Sequence, residues 1–185
     1  MSDFDHDFLV IDGSPLSTGL GVTPSLPMTA VRMKSPTERT RYHELLRAVL
    51  TRDGARPRVR ITDIRVDSEV SMAGGRALWG IRKEMATFEV HRARLTSFAA
   101  RTDEGELAAG RYAEQRHLPG RRLMAYKLAR TLDGRIKTSP VRSSAALRLA
   151  DAEWTAPVGG RLGALGRRTP LISLTLRDFT LRFGH

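Results

Sequence analysis

The stretch Ile172-Ser173-Leu174-Thr175-Leu176-Arg177-Asp178-Phe179-Thr180-Leu181-Arg182-Phe183 carries the pattern that decides the fold class. Ile172, Leu174 and Leu176 put apolar side chains on even positions, whereas Phe179, Leu181 and Phe183 use odd ones. Alternation with period two marks a strand buried on one face. A change of phase within one strand sends its apolar set to the wrong face unless an extra residue is absorbed. A bulge or bend is therefore predicted near Arg177-Asp178. Long bulged strands are what a curved, closing sheet requires.

The same signals recur along the rest of the chain. Asp133-Gly134 separates Arg122–Leu132 from Arg135–Val141, and Asp-Gly between apolar runs is a strong hairpin signal. A second hairpin is predicted around Asp53-Gly54, where Tyr42–Thr51 meets the alternating Arg58-Val59-Arg60-Ile61 and continues through Ile64 and Val66. Leu45, Leu46, Val49 and Leu50 would also suit a helix, but the turn and the alternation after it favour a strand. Thr87–His91 and Arg94–Ala100 read as strands before a Glu104-Gly105 turn, with Leu107–Tyr112 following. Ser71–Leu78 suits a short helix punctuated by Gly80. Gly159–Gly166 reads as a loop, and its glycine spacing is not a dinucleotide fingerprint because no strand–turn–helix surrounds it. Residues 1–40 read as an irregular N-terminal arm with one apolar run, Phe8–Ile11, and residues 41–185 as a single β-barrel domain. The fold class is mainly β (α+β): an antiparallel barrel with a few short helices.

The length of 185 residues fits one domain with a sizeable core. There is no cysteine, which excludes disulfide scaffolds, thiolate metal sites and cysteine nucleophiles and suits a reducing cytoplasm. The uncharged run Gly13–Val31 contains Pro15, Pro24 and Pro27 and cannot form a spanning helix. Asp3, Asp5 and Asp7 replace the basic start of a secretory signal. A cytoplasmic protein with no membrane partner is expected.

The net charge is +11, from 31 basic and 20 acidic residues, but four of the cations are lysines and 27 are arginines scattered along the chain. With aromatic residues at 6%, no stacking platform accompanies them. The charge argues for a solvated surface or attraction of anionic substrates rather than a nucleic-acid partner. The five histidines show no metal-ligand spacing, so no metal and no cofactor is expected. Nucleophile elbows and phosphate-binding loops are also missing.

One segment stands apart: Val66-Asp67-Ser68, then Gly75-Arg76-Ala77-Leu78-Trp79-Gly80-Ile81-Arg82-Lys83-Glu84. On its own, a lysine there is most often a solvated cation. The stretch Gly75-Arg76-x-x-Trp79-Gly80-Ile81-x-Lys83, however, resembles the lysine loop of the acetoacetate decarboxylase family. Tyr42-His43-Glu44 resembles that family's Tyr-x-Glu element, 39 residues before the lysine. Leu176-Arg177-Asp178-Phe179 resembles its final strand. The resemblance is loose over 28–184 and close over 40–90. It implies a cone-like antiparallel β-barrel, in agreement with the strand pattern, and a tendency to form homo-oligomers.

The resemblance also implies roles. Lys83 becomes the covalent catalyst, attacking the ketone of a β-keto or 2-oxo acid to form an iminium for decarboxylation, aldol–dehydration or cyclisation. Such a lysine must shed its proton. An ordinary amine near pKa 10.4 stays protonated at neutral pH, and correcting that takes about 4 kcal/mol of selective destabilisation of the cation. Burial in an apolar pocket and neighbouring cations supply it. Glu44 would shuttle protons, with Tyr42 and Arg41 beside it as pocket residues. Arg76 would hold the substrate carboxylate, or else cap a helix end or pair with Asp67. Trp79 would form pocket wall or core. Two positions depart from the family: Arg82 stands in place of a proline, and Glu84 in place of the classical decarboxylase's second lysine. An anion at 84 facing Lys83 would oppose a free amine. Alternatives are a non-covalent cyclase or lyase centred on Glu44, and a non-catalytic small-molecule-binding protein on the same fold.

Overall fold

The computed structural model describes residues 6–11, 26–32, 42–53, 56–132, 135–163 and 172–183. In chain order they form β1 (His6–Ile11), β2 (Leu26–Arg32), β3 (Glu44–Asp53), β4 (Arg56–Val66), α1 (Glu69–Trp79), β5 (Glu84–Met85), β6 (Thr87–His91), β7 (Thr96–Thr102), β8 (Gly105–Leu132), β9 (Arg135–Thr155) and β10 (Ile172–Phe183). The strands make one sheet in the order β5-β4-β3-β2-β1-β10-β9-β8-β7-β6. All neighbours in that order are antiparallel except β4 and β5, and β4 also pairs in parallel with β8 over Arg58–Arg60 and Lys127–Ala129.

The hairpins fall where the turn signals put them. Asp53 lies opposite Arg56 and Leu132 opposite Arg135. Gly54 and the Asp133-Gly134 turn itself lie outside the described residues. The phase change in β10 is a register shift between Arg177 and Thr180, with Asp178 at φ 49° in the left-handed region. That single positive φ takes up the extra residue, so both halves of the strand stay paired with β9.

Three expectations need correction. Residues 1–40 are not irregular throughout: β1 and β2 lie in the middle of the sheet, between β10 and β3. The apolar run Phe8–Ile11 is part of β1, while Pro27 and the turn-prone residues around β2 hide a strand held by partners distant in sequence. One helix, not a few, occurs among the described residues. The strands read separately as Leu107–Tyr112 and Arg122–Leu132 are one 28-residue strand. Its register shifts at Glu114/His117 and His117/Arg121, and Gly120 adopts φ 74°, so Pro119-Gly120 bends the strand without ending it.

The buried apolar residues form two clusters. Leu45, Phe98, Ala100, Leu107, Ala108, Tyr112, Trp154 and Leu162 form the larger, with the Phe98 and Trp154 rings edge to face. Gly110 lies under this pair, since a Cβ there would stand 2.7 Å from Phe98. Ala48, Val59, Leu128 and Val141 form the second, with Ile61, Ile81 and Tyr126 packed against it. Directly opposed residues share a face of the sheet, and the register pairs Glu44 with Val66 and Leu46 with Ile64. Glu44 is thus placed on the same face as buried Ile64 and Val66. No helix among the described residues is long and apolar enough to cross a membrane.

Candidate active site

Helix α1 builds one wall of the site. Ser68 caps its first turn, accepting a hydrogen bond from the Ser71 N–H at 3.2 Å, and Glu69 complements the dipole there. Gly80 ends it at φ 60°, its N–H donating to the Arg76 carbonyl at 3.1 Å. Ile81 N–H then donates to the Gly75 carbonyl at 3.0 Å. This left-handed glycine cap reverses the chain, so residues 81–83 run back along the helix.

Lys83 is brought inward by that reversal and is 8% exposed. Its Nζ donates to Glu44 Oε2 at 2.7 Å and to Ser71 Oγ at 3.0 Å, and stands 5.3 Å from the centre of the Tyr42 ring. The aliphatic stem lies on α1 at Gly75, where a Cβ would sit 2.8 Å from both Cδ and Cε. Arg76 Nε donates to the Lys83 carbonyl at 2.9 Å and ties the loop to the helix. Glu44, 7% exposed, reaches the same point from β3. A buried charge pair with further hydrogen bonds is expensive to assemble, which makes its presence informative.

Glu84 faces elsewhere. Its carboxylate lies 2.6 Å from buried Arg65 Nη1 and 3.4 Å from Arg161 Nη1. Alternation along the chain sends successive side chains to opposite sides, so the Glu84 carboxylate is held by two arginines and the carboxylate beside the amine is that of Glu44. Arg82 is exposed. Asp67, offered as a partner for Arg76, is taken by His43: the His43 N–H donates to Oδ1 at 2.6 Å and Nδ1 lies 2.7 Å from Oδ2. His43 also stacks on Phe88, so the start of β3 and the end of β4 are clamped beside the site.

The structure therefore brings together Lys83, Glu44, Tyr42 and Arg76 of the residues singled out in the sequence. Trp79 ends α1, but its side chain lies outside the description, and Arg41 lies outside the described residues. Ser71 was missed as a site residue. Its signal was available, because positions 71 and 75 share one helical face and Gly75 belongs to the lysine motif. Among the described residues no cluster of three or more histidine or carboxylate side chains is placed to hold a metal ion.

The family model described as acetoacetate decarboxylase matches residues 14–152. No curated protein matches the chain significantly. Among solved structures, the chain is similar to the acetoacetate decarboxylase of Legionella pneumophila, at 14% identity and TM-score 0.61, over 96% of this chain and 84% of that one. It is similar to an acetoacetate decarboxylase-like enzyme from Sphingomonas wittichii, at 14% identity and TM-score 0.60, over 96% and 88%. It is also similar to the enduracididine biosynthesis enzyme MppR complexed with pyruvate, at 15% identity and TM-score 0.59, over 95% and 88%.

Proposed function

The chain belongs to the acetoacetate decarboxylase family, and on that premise we propose that it is an enzyme forming a Schiff base between Lys83 and a small β-keto or 2-oxo acid or related carbonyl compound. The observation that carries this reading is the buried 2.7 Å contact between Lys83 Nζ and Glu44 Oε2. A nucleophile and a base at hydrogen-bond distance can exchange the proton that keeps the amine inert.

The steps balance within the pair. Glu44 takes a proton from the ammonium, and the amine adds to the carbonyl carbon as the C=O π bond opens. Glu44 returns that proton to the new alkoxide and accepts the second proton released by nitrogen, leaving a neutral carbinolamine. It then protonates the departing hydroxyl, water leaves, and an iminium bearing one N–H remains beside the carboxylate. The iminium accepts the electron pair of a breaking bond to carbon or hydrogen, giving an enamine, and loss of carbon dioxide, aldol condensation with dehydration, or cyclisation can follow. No cofactor is needed for these steps. Arg76 is assigned to the substrate carboxylate, and Tyr42, Arg41 and Trp79 to the pocket around it. The pyruvate complex of MppR supports the substrate class.

The same reading includes a cone-like barrel, supported by the β4–β8 pairing that links strands far apart in the sheet order. It also includes a cytoplasmic homo-oligomer, since assembly would cover the edges of so long a sheet.

The test is reductive trapping. Protein incubated with pyruvate or acetoacetate and cyanoborohydride should gain the mass of the reduced adduct at Lys83 by peptide mapping. Lys83→Arg should gain none, because a guanidinium stays protonated and cannot form the iminium. Adduct in neither case, with keto-acid binding retained, would favour the non-covalent reading, in which Lys83 remains the ammonium partner of Glu44.

A further inference from the structure

We propose that Ser71 is a third catalytic residue of this site beside Lys83 and Glu44, the neutral hydrogen-bond acceptor that holds the reacting nitrogen throughout the Schiff-base sequence. The inference rests on the Lys83 chemistry proposed above.

The geometry is specific. Ser71 Oγ lies 3.0 Å from Lys83 Nζ, on the side chain of the first turn of α1. Its backbone N–H is already satisfied by the Ser68 cap, so the hydroxyl is not needed to finish the helix end. Ser71 and Gly75 are one turn apart, and together they grip the amine and the stem of the same lysine. A serine in the first helical turn usually turns its hydroxyl to the local backbone or to water. Here it is turned to a buried ammonium.

Proton counting shows what that contact can do. The ammonium has three N–H bonds, of which one points to Glu44 and one to Ser71. The first proton goes to Glu44 when the amine is freed, and a second is lost on the way to the neutral carbinolamine. One N–H survives in the carbinolamine and in the iminium. Glu44 is busy exchanging protons with oxygen in those steps, whereas Ser71 Oγ can accept from the surviving N–H throughout without taking it. A hydrogen bond whose donor becomes cationic strengthens as the charge develops, so in the dehydration step, where the neutral carbinolamine becomes the cationic iminium, Ser71 would stabilise the transition state more than the carbinolamine that precedes it.

The experiment follows reductive trapping with pyruvate and with acetoacetate over a range of concentrations, in wild type, Ser71→Ala and Ser71→Thr, with thermal melting of each. Ser71→Ala should fold, since alanine is a good helix former and the Ser68 cap is retained. At saturating keto acid its trapping rate should fall by about tenfold or more, as for a lost hydrogen bond to a charged group. The half-saturating concentration should change little, and Ser71→Thr, which keeps the hydroxyl, should recover most of the rate. Trapping by Ser71→Ala at the wild-type rate would overturn the role of Ser71 and leave the role of Lys83 standing. A folded Ser71→Thr as slow as Ser71→Ala would also overturn it. Wild type that forms no adduct with either keto acid would overturn the Schiff-base reading itself.

Discussion

Gly75 and Lys83 occupy one another's space: a Cβ on Gly75 would stand 2.8 Å from Cδ and Cε of Lys83 and 3.1 Å from Cγ. The glycine is in the helix, with no need of positive φ, so its lack of a side chain serves the lysine. Gly75→Ala should therefore separate stability from chemistry. Alanine favours a helix interior over glycine by about 1 kcal/mol, while its methyl forces the lysine stem aside and lengthens the Nζ contacts. The expected result is a melting temperature at most a few degrees below wild type, because the helix gain offsets part of the cost of stretching the buried pair, with a large loss of keto-acid trapping. Unchanged trapping would show that the stem can move without cost.

Lys83 and Glu44 should be coupled in stability as well. Lys83→Met leaves a buried carboxylate without its cation, and Glu44→Gln leaves a buried ammonium with Ser71 and the Tyr42 ring. Breaking one side of a buried pair costs about 3 kcal/mol or more. The double variant removes both charges and should be more stable than the sum of the single losses implies, by roughly 2 kcal/mol. Urea unfolding of the four proteins measures this directly, and strict additivity would mean that the pair relaxes toward water when either partner is removed.

Much of this arrangement was legible in the sequence because its causes are local. The phase change between Leu176 and Phe179 marked the bulge that Asp178 makes with φ 49°. The helix expected over Ser71–Leu78 forms over Glu69–Trp79, and Gly80, visible in the sequence, supplies its left-handed cap. Lys83 and Glu44 could be paired only through the family resemblance, since no period or spacing links residues 39 apart. What was hidden depends on distant partners. Strand β2 carries Pro27 and is held by β1 and β3, and β8 passes through Pro119-Gly120 because β9 pairs on both sides of the irregularity. Glu84 looked like a neighbour of Lys83 in the chain, and only the parallel pairing of β5 with β4 turns it to Arg65.

Tyr112 gives the fold a sensitivity to alkali. Burial raises its pKa above the usual 10.0, the Glu114 charge adds to this, and the Thr96 hydrogen bond and the Arg92 and Arg177 charges oppose it. The folded state holds the phenol proton more tightly than the unfolded state. Below the unfolded pKa both states are protonated and the contribution is fully present. As pH rises past about 10 the unfolded chain ionises first, and stability is lost through the folded value. In unfolding measured across this range, Tyr112→Phe should lack that part of the decline, so the gap between wild type and variant should narrow with pH. Parallel curves would place the titration elsewhere.

Glu84→Lys tests whether the substitution that resembles the classical decarboxylase would help or harm this chain. The carboxylate lies 2.6 Å from Arg65, which is 6% exposed, and 3.4 Å from Arg161. A lysine there removes the strongest partner of a buried guanidinium and adds a like charge, leaving Arg65 with Asp63 at 3.1 Å. Because the Glu84 side chain is itself 42% exposed, the cost is discounted to roughly 1–2 kcal/mol, a fall of several degrees in Tm. The new ammonium would extend on the Arg65 side of the chain, away from the Lys83 amine, so it would not promote loss of the lysine proton as a facing cation does. The expected outcome is lower stability with no faster trapping. A variant that is equally stable and traps keto acid faster would mean that residue 84 reorients toward Lys83, and that the arginine pairing is what holds this site away from the classical decarboxylase arrangement.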